Sequence, residues 1–341
     1  MPNYNRIFLL FSFLINLLLL ASYAYANEYK ISILDESQVF PGKTLFVDTS
    51  KKNMQSIVEV DIHGKILWKN TPSIPSKAFL LDATYINEDQ ILFTAKGYGI
   101  VEIDRAGKIL WKHLDAEASH DADRLPNGNT IYNRGWVSKG QDVVREISPN
   151  GDVVWSWNGL QDFDKPPFAS VNDEGWMHVN SVTRLANGNT VISIRNFNSI
   201  VEVNQIGKVI RTWTFQAEKK KTIETDGRIS GERNHEPEIL PSGNILVALR
   251  KPFRYVEFNP DTEEIVWQWR PSVGVNKTFN RDANRLPNGN TLVTTANQII
   301  EVNNIGVIVW QLDGPQKSDD GNPRVFHKVV RRSPEGRNFG E

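Results

Sequence analysis

The 341-residue chain contains no cysteine. Disulfide bonds, thiolate metal sites, cysteine nucleophiles and lipid-modified cysteines are therefore excluded, and the fold must rest on apolar packing. Neither charge is in excess, because 39 lysine and arginine residues balance 40 aspartate and glutamate residues. The basic run Lys219–Lys221 is interpreted as a solvated loop. We therefore predict no nucleic-acid partner.

Long apolar runs are also scarce, and the clearest one lies near the N-terminus. Residues Ile7–Leu20 follow Arg6 and precede Ala24–Ala26, a spacing of small residues that signal peptidase accepts. An apolar core of this length is short for spanning a bilayer. We predict a cleavable signal peptide at 1–26 and a mature chain, 27–341, that is periplasmic or secreted without a stable membrane span. An uncleaved anchor is the alternative.

One motif recurs six times along the chain. It consists of a Leu-Pro-Asn-Gly-Asn-like turn, an Ile/Val-Val-Glu-Val stretch and a Gly-x-Ile/Val-hydrophobic-Trp ending. The copies end at Trp68, Trp111, Trp155, Trp213, Trp267 and Trp310, with spacings of 43, 44, 58, 54 and 43 residues. Two hairpin signals in each copy indicate four short strands. Such sheets bury both faces when they are arranged radially, so we predict an all-β fold, a six-bladed β-propeller of four-stranded blades.

The predicted blades cover residues 31–70, 75–114, 115–157, 170–213, 229–269 and 276–312, approximately, with a C-terminal tail at 313–341. The repeat tryptophans are expected to fill the space between neighbouring blades. The Asn-Gly turns are expected to be two-residue type I′ turns. Segments 161–174 and 217–233 account for the two long spacings and are expected on the functional rim.

Three histidines occupy matching positions in consecutive repeats. His120, His178 and His235 each lie five to seven residues before the leucine that opens a hairpin turn. Because the innermost strands of a propeller line its channel, we expect these imidazoles to meet at the channel end opposite the Asn-Gly turns. The others are expected to be ordinary surface residues: His63, His113 and His327.

Counting register from a two-residue turn brings an arginine to the level of each histidine. The expected pairs are Arg134 facing Asp121, Arg195 facing Asn180 and Arg250 facing His235. Three guanidinium groups would repel a divalent cation and favour an oxyanion such as sulfate or phosphate. We therefore predict no metal and no cofactor, and substrate binding by Asn180, Arg250 and Arg134. A metal site on the imidazoles and a purely structural role for the histidines are the alternatives.

The central motif resembles the bacterial arylsulfate sulfotransferases. In that family a Trp-x-His-x-Asn-Ser motif, here within Gly175–Val182, precedes a Ser-x-Arg segment, here within Ile192–Val203. His120 and His235 look like the family's histidines in the flanking blades. The resemblance covers most of the chain from about Asp82 to Trp310, but this chain lacks the cysteine pair of other members.

The resemblance implies a periplasmic propeller that acts on a small-molecule aryl sulfate and a phenol. It implies ping-pong sulfuryl transfer through a sulfohistidine, without phosphoadenosine-phosphosulfate. By position, His235 would be the nucleophile, and His120, His178, Asn180 and Arg195 would bind the sulfuryl oxygens or handle the phenol proton. The alternative is a non-catalytic exported propeller that binds an anionic ligand or a protein partner. No oligomeric state is predicted.

Overall fold

The computed structural model describes residues 29–215, 229, 231–271, 274–275, 279–323, 325–333 and 338–339. The expected signal peptide, the Lys219–Lys221 run and most of the 217–233 insertion lie outside these residues. Within them, the strands form six antiparallel sheets of four or five strands each, arranged as the blades of a propeller. The predicted fold class is therefore confirmed. The helices in this part of the chain are all too short or too polar to cross a membrane.

The strands are β1 (Lys30–Leu34), β2 (Lys43–Asp48), β3 (Ser56–Val60), β4 (Ile66–Asn70), β5 (Phe79–Tyr85), β6 (Gln90–Lys96), β7 (Gly99–Asp104), β8 (Ile109–His113), β9 (Ala122–Arg124), β10 (Thr130–Asn133), β11 (Val144–Ile147), β12 (Val153–Trp157), β13 (Val179–Arg184), β14 (Thr190–Ile194), β15 (Ser199–Val203), β16 (Val209–Thr214), β17 (Asn234–Ile239), β18 (Ile245–Arg250), β19 (Phe253–Phe258), β20 (Ile265–Trp269), β21 (Ala283–Arg285), β22 (Thr291–Thr294), β23 (Gln298–Val302), β24 (Ile308–Asp313), β25 (Phe326–Arg332) and β26 (Asn338–Phe339). The helical segments are Leu160–Phe163, an α-helical turn, and two 3₁₀ turns, Phe168–Ser170 and Arg195–Phe197.

The strands near the two ends of the chain belong to other blades than the expected bounds gave them. Strand β1 pairs with β24 of the sixth blade, where Lys30 faces Asp313. Strand β25 comes from the expected tail and pairs with β2, so it supplies the inner strand of the first blade. The repeat motif covers only the turn and the outer strands of a blade. It therefore carries no signal for this closure of the ring by the C-terminal strand.

The hairpin turns have three loop residues, so the predicted two-residue turns are wrong. In the fourth blade the Leu185 N–H donates to the Asn189 carbonyl at 2.8 Å, and the Gly188 N–H donates to the Leu185 carbonyl at 2.9 Å. Gly188 has a left-handed φ of 84°, whereas Asn187 is not among the residues with positive φ. This pattern is a type I turn followed by a left-handed glycine. A type I′ turn would instead need positive φ at both of its central residues.

The expected cross-strand pairs are wrong for the same reason. The three-residue loop shifts the register by one position, and a bulge between Val179 and Ser181 shifts it again. Arg195 lies opposite His178, and its N–H donates to the His178 carbonyl at 3.3 Å. Arg250 lies opposite Glu232, whose carbonyl accepts from the Arg250 N–H at 2.7 Å. The other observed pairs are His235 with Ala248 and Asp121 with Asn133.

The six repeat tryptophans link neighbouring blades, as predicted. Each indole N–H donates to a backbone carbonyl in the next blade at 2.7 to 3.1 Å. The acceptors, in chain order of the tryptophans, belong to Arg105, Pro149, Gln205, Pro260, Asn304 and Ile62. The last bond returns from the sixth blade to the first and closes the ring.

The repeat glutamates complete what we call the junction clasp: a glutamate and a tryptophan of one blade with an arginine of the next. Arg184 Nη2 lies 2.7 Å from Glu146 Oε2, and its guanidinium lies 4.7 Å from the centroid of the Trp155 ring. The Asn129 amide also donates to Glu146, at 2.6 Å. Among the described residues the same pairing joins Arg105 to Glu59, Arg124 to Glu102, Arg285 to Glu257 and Arg331 to Glu301.

We expect the junction clasp to contribute measurably to stability. Arg184→Ala leaves the mostly buried Glu146 carboxylate without its cation and should lower the free energy of unfolding by about 2 kcal/mol. As a control, Lys139→Ala removes the exposed ion pair with Asp164 and should change it by less than about 1 kcal/mol. Denaturant unfolding of both variants measures the difference, and equal losses would contradict the clasp's role.

Candidate functional site

The three matched histidines meet at one end of the channel. The ring centroid of His120 lies 5.2 Å from that of His178 and 5.7 Å from that of His235. All three side chains are buried. The backbone bends sharply beside them, because His178 and Glu236 have φ values of 48° and 41°, a region that residues other than glycine rarely adopt. The geometric prediction that the imidazoles converge is confirmed, whereas their roles stay predictions.

A backbone carbonyl fixes the tautomer of His235. Its Nδ1 lies 2.9 Å from the carbonyl oxygen of Arg281, which can only accept a hydrogen bond. We therefore assign the proton to Nδ1, which leaves a lone pair on Nε2. The Asn180 amide donates to the carbonyl of Asn234 at 3.1 Å and so holds the backbone next to His235. Asn180 is itself buried, and the substrate binding predicted for it stays a prediction.

The opposite tautomer is assigned to His178. Arg195 Nη2 lies 2.7 Å from Nδ1 of His178, and a guanidinium can only donate. The Glu174 carbonyl also lies 2.9 Å from the same nitrogen, but Nδ1 cannot accept from one group while donating to the other. Because arginine stays protonated, we assign the bond to Arg195 and the proton to Nε2. Nε2 of His178 is buried without a hydrogen-bond partner in the described part of the chain.

A tryptophan outside the repeat motif packs against His120. The Trp136 ring stacks on the His120 ring at 4.4 Å with an interplanar angle of 14°, and it meets the His178 ring at 4.9 Å. The ammonium of Lys96 lies 3.7 Å from the centroid of a Trp136 ring. Sequence reasoning missed Trp136 and Lys96. The signal available was that Trp136 falls outside the repeat positions, two residues after Arg134.

Burial and nearby cations keep the three imidazoles neutral. Burial is the main cause that lowers the pKa of His120, His178 and His235 well below 6.5. Among the charges, Arg281 has the largest effect on the pKa of His120 and His235, and Arg195 on that of His178. At neutral pH the site therefore combines uncharged imidazoles with fixed positive charge.

The sixth and first blades contribute groups that the sequence prediction did not use. Arg281 Nη1 lies 2.8 Å from Nδ1 of His327, which is 4% exposed and packs edge-on against Phe79. The expectation that His327 is a surface residue is wrong, because β25 is the inner strand of a blade. His63 is exposed as expected, whereas His113 is half-buried against Tyr132.

The predicted arginines divide into two groups. Arg195 bonds to His178, and Arg250 lies near enough to lower the pKa of His235, with its guanidinium 4.9 Å from the centroid of the Phe279 ring. The guanidinium of Arg134, by contrast, is held by the Asp115 carboxylate at 2.9 Å and the Asp142 carbonyl at 3.0 Å. This geometry does not support the substrate-binding role predicted for Arg134, and Arg281 supplies positive charge beside the imidazoles.

Residues 26–225 match the profile of the arylsulfotransferase (ASST) family. This chain belongs to the arylsulfotransferase family. The matched region contains His120, His178 and Arg195 and ends before His235. Membership implies small aryl molecules as substrates. No curated protein matches the chain.

Solved structures support the fold of this arylsulfotransferase-family chain. A protein of unknown function from Bacteroides caccae is 17% identical, with a TM-score of 0.60 over 85% of this chain and 98% of that one. A catalytically inactive virginiamycin B lyase from Staphylococcus aureus with quinupristin is 13% identical, with a TM-score of 0.51 over 82% and 87%. A streptogramin B lyase is also 13% identical, with a TM-score of 0.51 over 89% and 97%. At these identities the likeness concerns the fold alone.

We expect the Arg281 guanidinium to add to the lowering of the His235 pKa that burial causes. The pKa of the His235 imidazole should lie below 6.5 in the wild type, and Arg281→Gln should raise it, because the substitution removes a nearby cation and keeps the backbone carbonyl. Imidazole ¹⁵N shifts recorded against pH measure both values. Lys139→Gln, a change on the exposed surface, should leave them unchanged. An unaltered pKa in Arg281→Gln would contradict this electrostatic account.

Proposed function

We propose that this protein transfers a sulfuryl group from a phenolic sulfate ester to a phenolic acceptor through a sulfohistidine on His235. The observation that carries the proposal is the buried, neutral imidazole of His235, whose Nδ1 is tied to the Arg281 carbonyl at 2.9 Å. Its Nε2 lone pair lies in a site with Arg281 and Arg195 nearby. Membership of the arylsulfotransferase family supports the reaction class.

In the first half-reaction, Nε2 of His235 attacks the sulfur of the aryl sulfate. The N–S bond forms, the bond from sulfur to the aryl oxygen breaks, and the phenolate leaves with the electron pair. Nδ1 keeps its proton, so the sulfonated ring carries a positive charge. The Arg281 carbonyl, 2.9 Å from Nδ1, stabilises this charge.

In the second half-reaction, the acceptor phenol attacks the same sulfur. The N–S bond breaks and its electron pair returns to Nε2 of His235. The phenolic proton passes to a neutral imidazole, for which we propose His120, because its Nδ1 has no hydrogen-bond partner among the described residues. A neutral imidazole is a competent base near neutral pH.

Positive charge and N–H donors stabilise the transferring group. Sulfuryl transfer, like phosphoryl transfer, has a loose transition state with charge on the peripheral oxygens, so positioning and fixed charge supply most of the catalysis. Arg195 and the Nε2–H of His178 are the donors that we assign to those oxygens or to the leaving phenolate. Asn180 acts by holding the strand that bears His235.

We also propose that the protein works outside the cytoplasm after removal of residues 1–26. The apolar run Ile7–Leu20 and the small residues of Ala24–Ala26 support this proposal. N-terminal sequencing of the protein recovered from the producing cells tests it. A mature chain that begins near Asn27 is expected, and an intact Met1 would contradict cleavage.

The turnover test uses 4-nitrophenyl sulfate as donor and phenol as acceptor. We expect release of 4-nitrophenol with parallel double-reciprocal plots, the signature of a ping-pong mechanism. His235→Ala should abolish turnover, whereas His63→Ala, a change of an exposed histidine, should not. Full activity of His235→Ala would contradict the nucleophile. Saturable binding of the ester without any turnover in the wild type would instead favour the non-catalytic binding propeller.

Arg195 should be needed for the rate as well as for binding. Arg195→Ala removes a donor to the transferring group and frees His178 to change its tautomer, so kcat/KM should fall by about 10²-fold. Arg195→Lys keeps the charge but not the planar donor geometry and should recover only part of the loss. Steady-state kinetics measure both variants, and a change confined to KM would contradict a role in the chemical step.

A further inference from the structure

The other end of the channel contains a cavity that the proposed reaction does not use. Its volume is about 520 Å³, and it is lined by the inner strands and by residues of the hairpin turns, including Leu125 and Pro126. None of the three catalytic histidines lines it. Six carboxylate side chains do: Asp82, Asp121, Asp123, Glu236, Glu238 and Asp282. We call this space the acidic channel cavity.

Positive side chains do not balance these carboxylates. The basic residues that line the cavity are Arg124, Arg184 and Lys328. Both arginines are held in junction clasps, by Glu102 and Glu146, which lie outside the cavity. Among the described residues, Lys328 is the lining cation that forms ion pairs with carboxylates of the cavity itself. The cavity therefore has more carboxyl groups than cations that pair with them.

Lys328 is shared by three of those carboxylates. Its Nζ lies 2.7 Å from Asp121 Oδ1, 3.4 Å from Asp82 Oδ2 and 3.8 Å from Glu236 Oε2. Only the first of these distances is that of a strong charge-assisted hydrogen bond. One ammonium is therefore too little to satisfy three buried acids from three blades.

Two carboxylate oxygens in the cavity are left without a donor. Oδ1 of Asp82 and Oε1 of Glu236 are buried and have no hydrogen-bond partner among the described residues. The two residues are only 2% and 4% exposed. Burial is the main cause that raises the pKa of Asp82 to about 7 and that of Glu236 well above its usual range, and neighbouring carboxylates add to both shifts. A buried carboxylate in this state is satisfied by a proton or by a cationic donor.

The arrangement suits an organic cation better than a metal ion. No set of three or more His, Asp and Glu side chains in the described part of the chain is placed to hold a metal ion. The carboxylates instead come from four blades around a wide space, which matches a ligand with separated positive charges and several N–H donors. We propose that the acidic channel cavity binds a small aliphatic diamine or polyamine whose ammonium groups donate to Asp82 and Glu236.

The test is a binding measurement on the full chain, with no sulfate ester present. Isothermal titration with spermidine and with putrescine should show saturable binding, and the same amines should raise the melting temperature. At matched ionic strength, magnesium chloride and the uncharged 1,4-butanediol should do neither. Because no turnover is measured, the result is independent of the proposed sulfuryl transfer.

Two variants and a control locate the site. Asp82→Asn and Glu236→Gln should each weaken spermidine binding by about tenfold or more, the loss of a charge-assisted hydrogen bond. Glu36→Gln, on the exposed surface, should leave it unchanged. Circular dichroism checks that each variant is folded. If only one of the two cavity variants folds, its spermidine affinity alone tests the site. No saturable amine binding by the wild type, equal binding by magnesium, or undiminished binding by a folded cavity variant would overturn the proposal.

Discussion

The bond from each repeat tryptophan to the next blade fixes how neighbouring blades lie against each other in the described part of this protein. Each blade alone exposes two apolar faces, and the clasp of tryptophan, glutamate and arginine fixes the side on which the next blade covers one of them. Because the last bond runs from Trp310 to the Ile62 carbonyl, the ring closes within the described residues. Residues at matching positions of different repeats must then face one axis. The meeting of His120, His178 and His235 is a consequence of this closure.

Much of the fold could be predicted because residues of the repeat motif have a structural role in the blades. In four repeats the glutamate of the Val-Glu-Val stretch accepts a hydrogen bond from the last asparagine of the turn, as Glu146 does from Asn129 at 2.6 Å. Glu146 also pairs with Arg184 of the next blade, so the motif marks both the hairpin and the junction. What could not be predicted was register. A three-residue loop and a bulge at Asn180 each shift the pairing, and neither changes the pattern of apolar residues from which register is counted.

The candidate site was predictable in its histidines and less so in its cations. His120, His178 and His235 precede recognisable turns, so symmetry alone brings them together. Arg281 occupies the channel position of the sixth blade, and its carbonyl contact with His235 depends on backbone geometry that the sequence does not show. Lys96 and His327 reach the site from strands that carry no matching motif. The place of His327 follows from the pairing of β25 with β2, which links residues far apart in the chain.

One channel thus carries two different electrostatic environments, and consecutive residues in or just before the inner strands produce them. His120 precedes Asp121, His235 precedes Glu236, and Arg281 precedes Asp282. The first residue of each pair belongs to the candidate functional site, whereas the second lines the acidic channel cavity. The two environments meet at His235 and Glu236, where the Glu236 carboxylate lies 3.7 Å from Nδ1 of the proposed nucleophile.

The central claim is that His235 carries the sulfuryl group between donor and acceptor. Its most direct test is peptide mass spectrometry after brief exposure of the protein to 4-nitrophenyl sulfate without an acceptor. The account predicts the mass of one added sulfuryl group on the peptide that contains His235, and its loss when phenol is added. Turnover without any adduct, or an adduct confined to another histidine, would contradict it.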